Sequence, residues 1–477
     1  MKNKLYDAIL KSISGKISLY IVQFLFLAIY ARIFTPEEFG ILASVQVFVL
    51  FFQMIAEIGI GPAIINEDRF TNKQRDGIFT VTLILGVVLG SGFYFFSYFL
   101  NSFYGNYNYQ QISIIISISI FFYALGIIPI TSLNKDARFI KIAKLNILSE
   151  VLSFIIVYYL YYLNFGIFAL VAKSLTQSFF NFILFWIESK ETTLGRPLFG
   201  NQIYHIKAIA SFASYQFFFN FINYFSRNLD NILIGKYLGM SSLGVYDKSY
   251  QLMRYPLMVT TFAMTPAIQP VLTKMRTDVV RIVEEHNKLT MRLLFISILI
   301  SAFLYVNSQE IVLFLFGEQW GRVVPLIKVF AFMIPIQAVL STSGSFYQVM
   351  NKPKLLFISG AISASINTLA IIIGVYSRNL EYIALALLIS FTLNFIQCYY
   401  LMFKFCFYCS SRMFVIGLIK ASVLSGFPAF FYVVVNKMLF NSLPDDVWLN
   451  LMLNIILAIL CVGVFYSPIK KLFVVIK

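Results

Sequence analysis

The chain has 477 residues, 59% of them hydrophobic and 12% charged, with a formal charge of +16 and a mean hydropathy of +0.80. Soluble domains carry about twice that share of charged residues, so a water-soluble fold is excluded and lipid is the main solvent. The basic excess lies in short connections, where it serves membrane topology and excludes a nucleic-acid partner.

About 20 apolar residues cross the ~30 Å hydrocarbon core as a helix. By that measure the sequence predicts an all-α polytopic membrane protein of about fourteen spans. The first seven cover residues 13–34, 40–65, 77–100, 109–133, 145–163, 166–187 and 208–234. The second seven cover 243–271, 289–306, 323–350, 355–376, 382–403, 413–435 and 447–466. The basic N-terminus runs into a long apolar stretch without a small-residue cleavage site, so the first helix is expected to be retained. Only Asn164 and Phe165 join the fifth and sixth spans, which predicts a tight hairpin. Gly59, Gly61 and Pro62 in the second span, and Pro266 in the eighth, predict bends.

Loop charges support the order of the spans. Basic residues gather in every second connection: Lys2, Lys4, Lys11 and Lys16; Arg69, Lys73 and Arg75; Lys135, Arg138, Lys141 and Lys144; Lys190, Arg196 and Lys207; and onward to Lys470, Lys471 and Lys477. The alternate connections hold only Arg32, Lys236, Arg322, Arg378 and Lys437. Both termini are therefore expected on the cytoplasmic side of a bacterial inner membrane.

The two halves repeat. Arg32 to Gly40 aligns with Lys236 to Gly244 at an offset of 204 positions, and Pro62-Ala63-Ile64 falls on Pro266-Ala267-Ile268 at the same offset. Six spans separate the copies, so both stand the same way up, as in transporters whose halves are related by an axis along the membrane normal. The expected organisation is an N-lobe over 1–190, a C-lobe over 191–405 and two further spans over 406–477, with the six-helix lobes around a central cavity.

The residues of the repeat also carry a resemblance. ARIFTPEEFGILA (31–43) with AEIGIGPAII (56–65), RNLDNILIGKYLGMSSLGVYDKSYQLMRYP (227–256), FGEQWGRVVPLIKVFA (316–331) and MNKPKLL (350–356) resemble bacterial polysaccharide flippases. The family is the polysaccharide transport family, O-antigen and colanic-acid type exporters, in the superfamily that also holds multidrug extruders and lipid II flippases. The resemblance runs from about residue 10 to about residue 405. It implies a substrate of undecaprenyl-pyrophosphate-linked oligosaccharide, a functional monomer surrounded by membrane lipid, and a polysaccharide polymerase with chain-length machinery as pathway partners. A multidrug extruder and a membrane polymerase or ligase stand as alternative readings.

A charge at mid-bilayer costs about 2.5 kcal/mol or more, so polar side chains in the spans should face protein or water. In the seventh span Gln216, Asn220, Asn223, Arg227, Asp230 and Asn231 fall on one helical stripe; in the eighth, Asp247, Tyr250, Gln251, Arg254, Thr261 and Thr265 do so. Gln46, Gln53 and Glu57 line the second span, and Lys16 and Gln23 mark the first. Arg227 and Arg254, with Lys16 or Lys248, are the candidates to meet a pyrophosphate, because a guanidinium fork pairs with two phosphate oxygens and stays charged. The Asn, Gln and Tyr side chains would bond sugar hydroxyls, and Glu57, Asp230 and Asp247 are candidates for ion coupling or charge pairing. The competing reading is local neutralisation, with Arg227 against Asp230 at i, i+3 and Asp247 sharing a face with Arg254. For Lys173 and Lys328, pairing or snorkelling is the expected role.

Cys406 and Cys409 form a C-x-x-C without a second ligand pair, so neither a metal nor a disulfide framework is expected. His205 and His286 are read as lying in polar connections. No P-loop or catalytic motif is present in the sequence, and no cofactor or enzymatic activity is expected.

Overall fold

A computed structural model describes residues 2–57, 59–67, 70–205, 224–258, 261, 268–269, 272–440 and 447–464. Among these, all regular structure is helical. The helices are α1 (Lys2–Ile33), α2 (Pro36–Glu57), α3 (Ile60–Asn66), α4 (Asn72–Tyr104), α5 (Tyr109–Lys135), α6 (Phe139–Tyr162), α7 (Ile167–Glu188), α8 (224–238) and α9 (Met240–Leu257). They continue as α10 (Val279–Val306), α11 (Ser308–Leu315), α12 (Val323–Leu340), α13 (Ser343–Val349), α14 (Pro353–Tyr376), α15 (Leu380–Leu401), α16 (Arg412–Phe440) and α17 (Val447–Val464). Ten helical spans among the described residues are long and apolar enough to cross a membrane, and a shorter apolar helix covers Val447–Gly463. The fifth expected span is helical in α6 and carries Glu150, and the helix starts earlier than expected, taking in Lys141 and Lys144. Parts of the seventh and eighth lie outside the described residues.

Local sequence explains the punctuation. Thr35-Pro36-Glu37-Glu38 starts α2 with a capping box: the Thr35 N–H donates to Glu38 Oε2 at 2.8 Å, and the Glu38 N–H donates to Thr35 Oγ1 at 3.3 Å. Gly59 takes a left-handed conformation (φ 65°), and there the expected bend becomes a break between α2 and α3. Asn164 (φ 62°) and Gly166 (φ 52°) turn the expected hairpin between α6 and α7.

The chain forms two compact units, Met1–Gly244 and Val245–Lys477. In the first, α1 packs on α6 through Phe26 and Phe154, stacked with centroids 4.3 Å apart. The α5 helix bonds α7 where Ser119 Oγ donates to the Ser174 carbonyl at 2.8 Å. Gly86 and Gly90 of α4 face Phe121 and Ser117 of α5 so closely that a side chain at Gly90 would lie 2.7 Å from the Ser117 carbonyl oxygen. Helices in lipid lack a hydrophobic drive to associate, so small residues and hydrogen bonds take over that task. Lys135 Nζ closes the C-terminus of α3 by donating to the carbonyls of Ile64 (2.8 Å) and Glu67 (2.6 Å).

In the second unit α10 packs between α12 and α16, and α14 pairs with α15. His286, expected in a polar connection, is fully buried within α10. Its ring meets those of Phe346, Tyr399, Phe403, Phe407 and Phe414 at 4.7 to 5.8 Å. At the other end of α10, Asn307 Nδ2 donates to Tyr432 Oη of α16 at 2.6 Å, and Tyr432 bonds Asn454 of α17 at 3.3 Å. Large apolar side chains such as Phe95, Ile155, Ile373 and Phe430 are exposed, as a lipid solvent permits.

Candidate functional site

The polar stripe of the first unit runs along α2 and α8. These helices touch where Tyr224 Oη donates to the Val47 carbonyl at 2.5 Å and where Phe51 meets Phe225 at 5.1 Å. Gln46 and Gln53 are half-buried and Glu57 is exposed at the end of α2, next to the break. On α8, Arg227 is exposed and makes no ion pair or hydrogen bond among the described residues. Asp230, three residues on, is buried and accepts the Asn231 N–H at 2.8 Å. No Arg227–Asp230 ion pair forms among the described residues. Lys16 is exposed on α1, also without a described partner. Gln216, Asn220 and Asn223 lie outside the described residues.

The stripe of the second unit lies on α9. Lys248 is buried, 3.0 Å from Asp247 Oδ2, and its Nζ donates to Gln251 Oε1 at 3.0 Å. Lys248 thus links Asp247 and Gln251 along α9. Tyr250 sets its ring edge-on to Phe330 at 5.6 Å. Arg254 is exposed and, like Arg227, has no ion pair or hydrogen bond among the described residues. Asp247 thus pairs with its neighbour Lys248. Among the described residues each stripe therefore carries one guanidinium without an ion pair or hydrogen bond, a group suited to phosphate. Thr261 is buried, bonded to the Leu257 carbonyl at 2.7 Å, and Thr265 lies outside the described residues.

One buried carboxylate lies outside both stripes. Glu150 of α6 has no exposed surface, and its Oε1 lies 2.7 Å from Lys173 Nζ of α7. Gln177 Nε2 donates to Oε2 at 2.5 Å, and Lys173 lies 5.2 Å from the Tyr30 ring centroid. Lys173 is paired as expected, but its partner lies 23 positions away across the hairpin, where helical periodicity gives no cue. Lys328 is exposed without a described partner. Cys398, Cys406, Cys409 and Cys461 are free thiols.

Residues 29–325 match the family model described as polysaccharide biosynthesis protein. The chain is 24% identical to teichuronic acid biosynthesis protein TuaB of Bacillus subtilis (strain 168), across 71% of this chain and 69% of that protein. It is 21% identical to lipopolysaccharide biosynthesis protein WzxC of Escherichia coli (strain K12), across 82% and 79%. Among solved structures, the lipid II flippase MurJ in an inward closed conformation superposes with a TM-score of 0.75 at 15% identity, covering 98% of this chain and 100% of that one. An inward-facing multidrug resistance MATE family transporter gives 0.57 at 15% identity, covering 80% and 94%. The chain therefore shares the fold of these two solved proteins, and by its family match it belongs to the polysaccharide biosynthesis protein family.

Proposed function

We propose that the chain is a flippase, not an enzyme, that moves undecaprenyl-pyrophosphate-linked oligosaccharide repeat units from the inner to the outer leaflet of the bacterial cytoplasmic membrane by alternating access. The observation that carries this reading is that each polar stripe holds an arginine without a partner among the described residues, in a member of a polysaccharide biosynthesis family. Relatives named for teichuronic acid, succinoglycan transport and lipopolysaccharide biosynthesis support the substrate class. Arg227 and Arg254 would hold the pyrophosphate, since a diphosphate offers each fork a pair of charged oxygens. Gln46, Gln53, Tyr250 and Gln251, with Gln216, Asn220 and Asn223, would bond the sugar hydroxyls. Glu57, a carboxylate beside a helix break, is the coupling-ion candidate, because unwound backbone next to an acidic group suits a cation or proton. Lys248 and Asp247 would hold the shape of the α9 stripe.

The lobes are taken as 1–190 and 191–405 with two further helices over 406–477, both termini cytoplasmic, acting as a monomer that hands units to a polymerase. Deleting the gene tests the reading. Loss of surface polymer with complete repeat units trapped on the inner leaflet supports it. Single units still reaching the outer surface would overturn it in favour of a polymerase, and an unchanged polymer with heightened drug sensitivity would overturn it in favour of an extruder.

A further inference from the structure

The α10 helix opens at Asn307 and resumes at once as α11. The Asn307 N–H still bonds the Phe303 carbonyl at 3.0 Å, and the Ile311 N–H bonds the Asn307 carbonyl at 2.9 Å. Between these two bonds, no amide of residues 308–310 bonds a carbonyl of residues 304–306 among the described residues. The carbonyls of Leu304, Tyr305 and Val306 are thereby released from the helical ladder. The first unit has no such opening. Gly105 after α4 (φ 102°, ψ 179°) and Gly317 after α11 (φ 90°, ψ 177°) share one conformation, and α4 runs unbroken to Tyr104. Both glycine amides bond four residues back, to Asn101 at 3.0 Å and to Leu313 at 3.1 Å. Aligning the two glycines sets Phe95, Phe96 and Tyr98 against Asn307, Ser308 and Glu310. The second unit thus carries oxygen-bearing side chains where the first carries rings.

The bonds at the opening fix which atoms stay unused. Asn307 Nδ2 donates to the Phe303 carbonyl at 2.7 Å and to Tyr432 Oη at 2.6 Å. A carbonyl only accepts, so the orientation of the Asn307 amide is set. Tyr432 Oη lies 3.3 Å from Asn454 Oδ1, which also accepts from Asn436 Nδ2. Side chains of α16 and α17 thus close that half of the network. The other half is all oxygen. Asn307 Oδ1, Ser308 Oγ and Glu310 Oε2 are buried without a partner among the described residues, and Asn307 and Ser308 have no exposed surface at all. Glu310 forms no ion pair among the described residues. Buried polar atoms are almost always satisfied, and a carboxylate oxygen shut away from water calls for a counter-charge. The negative end of the α10 dipole falls at the same place.

We propose that the opening between α10 and α11 is a binding site for one hard monovalent cation, sodium by preference, ligated by Asn307 Oδ1, Ser308 Oγ, the Glu310 carboxylate and carbonyls at the end of α10. Neutral oxygens with the C-terminal end of an interrupted helix are the donor set that such cations take in membrane proteins. One carboxylate balances one positive charge. Calcium takes about six to eight oxygens and magnesium keeps several of its waters, so an enclosed site with a single carboxylate suits neither. Bound there, the cation pins the opening against α16 and α17 through Asn307 and Tyr432. Glu57 belongs to the other unit, and the site does not depend on which cargo the chain carries.

Thermal melting of the purified full chain in detergent tests the site, in sodium chloride, calcium chloride or choline chloride at equal ionic strength. Sodium should raise the melting temperature saturably, by about 3 °C or more over choline. Glu310→Gln, nearly unchanged in shape, should abolish that shift. Ser308→Ala should need about tenfold more sodium for half of it. Glu318→Gln, at an exposed carboxylate in the same connection, should respond as the parent does. Equal melting of the parent in sodium and choline would overturn the proposal, and this comparison requires no variant to fold. A full sodium shift in Glu310→Gln would also overturn it, as would a shift with calcium and none with sodium. Should Glu310→Gln fail to accumulate, Ser308→Ala decides: an unchanged sodium midpoint overturns the site, and a raised one supports it.

Discussion

Removing Lys173 should harm the protein more than removing its partner Glu150, although the two form one ion pair. Glu150 has no exposed surface, whereas 25% of the Lys173 side chain remains exposed. Breaking a buried pair from one side costs about 3–5 kcal/mol, because the surviving charge is stranded. In Lys173→Met that charge is a fully enclosed carboxylate whose remaining described partner is Gln177, so the loss should sit near the upper end, about 5 kcal/mol. In Glu150→Met the stranded ammonium is only partly enclosed and has a long, flexible stem, so the loss should fall to about 3 kcal/mol or less. Replacing both by Met restores a neutral interior and should cost about 1 kcal/mol or less. Thermal melting of the purified protein in detergent, followed by the monodisperse fraction, ranks the four proteins. The expected order is parent and double variant together, then Glu150→Met, then Lys173→Met. A double variant less stable than either single, or Glu150→Met melting below Lys173→Met, would refute the reasoning.

Arg227→Ala and Arg254→Ala should each lower surface-polymer export roughly tenfold or more at normal protein levels, about 1.4 kcal/mol or more of lost phosphate binding. Lysine at either position should recover only part of it, because the planar fork is lost. Normal export by both alanine variants would remove these residues from the site. His286→Phe should melt within a few degrees of the parent, since Nε2 has no hydrogen-bond partner among the described residues, Nδ1 bonds only the adjacent Asn287 side chain at 3.1 Å and the surrounding rings accept another ring, whereas His286→Glu should melt well below it, as a stranded buried charge does. Thr35→Ala removes the capping box of α2 and should cost about 1 kcal/mol in the same melting assay.

Features set by neighbouring residues were legible in the sequence. Apolar runs marked the helices, Gly59 with Pro62 marked a bend where α2 in fact breaks, and Asn164 marked the hairpin. The second unit shows where legibility ends. The ring cluster around His286 is assembled from Phe346, Tyr399, Phe403, Phe407 and Phe414 on separate elements. Beside Glu284, Glu285 and Lys288 a histidine reads as polar, and only tertiary packing buries it. The candidate site divides in the same way. The polar stripes on α8 and α9 follow from periodicity, but which cations stay uncommitted does not. Lys248 and Arg254 look equivalent as letters, and the rotamer that carries Lys248 onto Asp247 and Gln251 separates them. Arg227 and Asp230 are correctly spaced for a pair, yet the aspartate turns to the adjacent backbone.

The hairpin between α6 and α7 bears on how the chain is made. Glu150 and Lys173 emerge from the ribosome 23 residues apart and are joined through the short turn at Asn164 and Phe165. An acidic or basic residue entering the bilayer centre alone carries a cost of about 2.5–3.5 kcal/mol at the insertion machinery. Two helices that fold back on each other before leaving that machinery can partition as one neutral body, with the carboxylate already covered by the ammonium. Biogenesis of the first unit therefore favours pairwise release of these two helices, and lengthening the turn would expose a cost that the finished structure conceals.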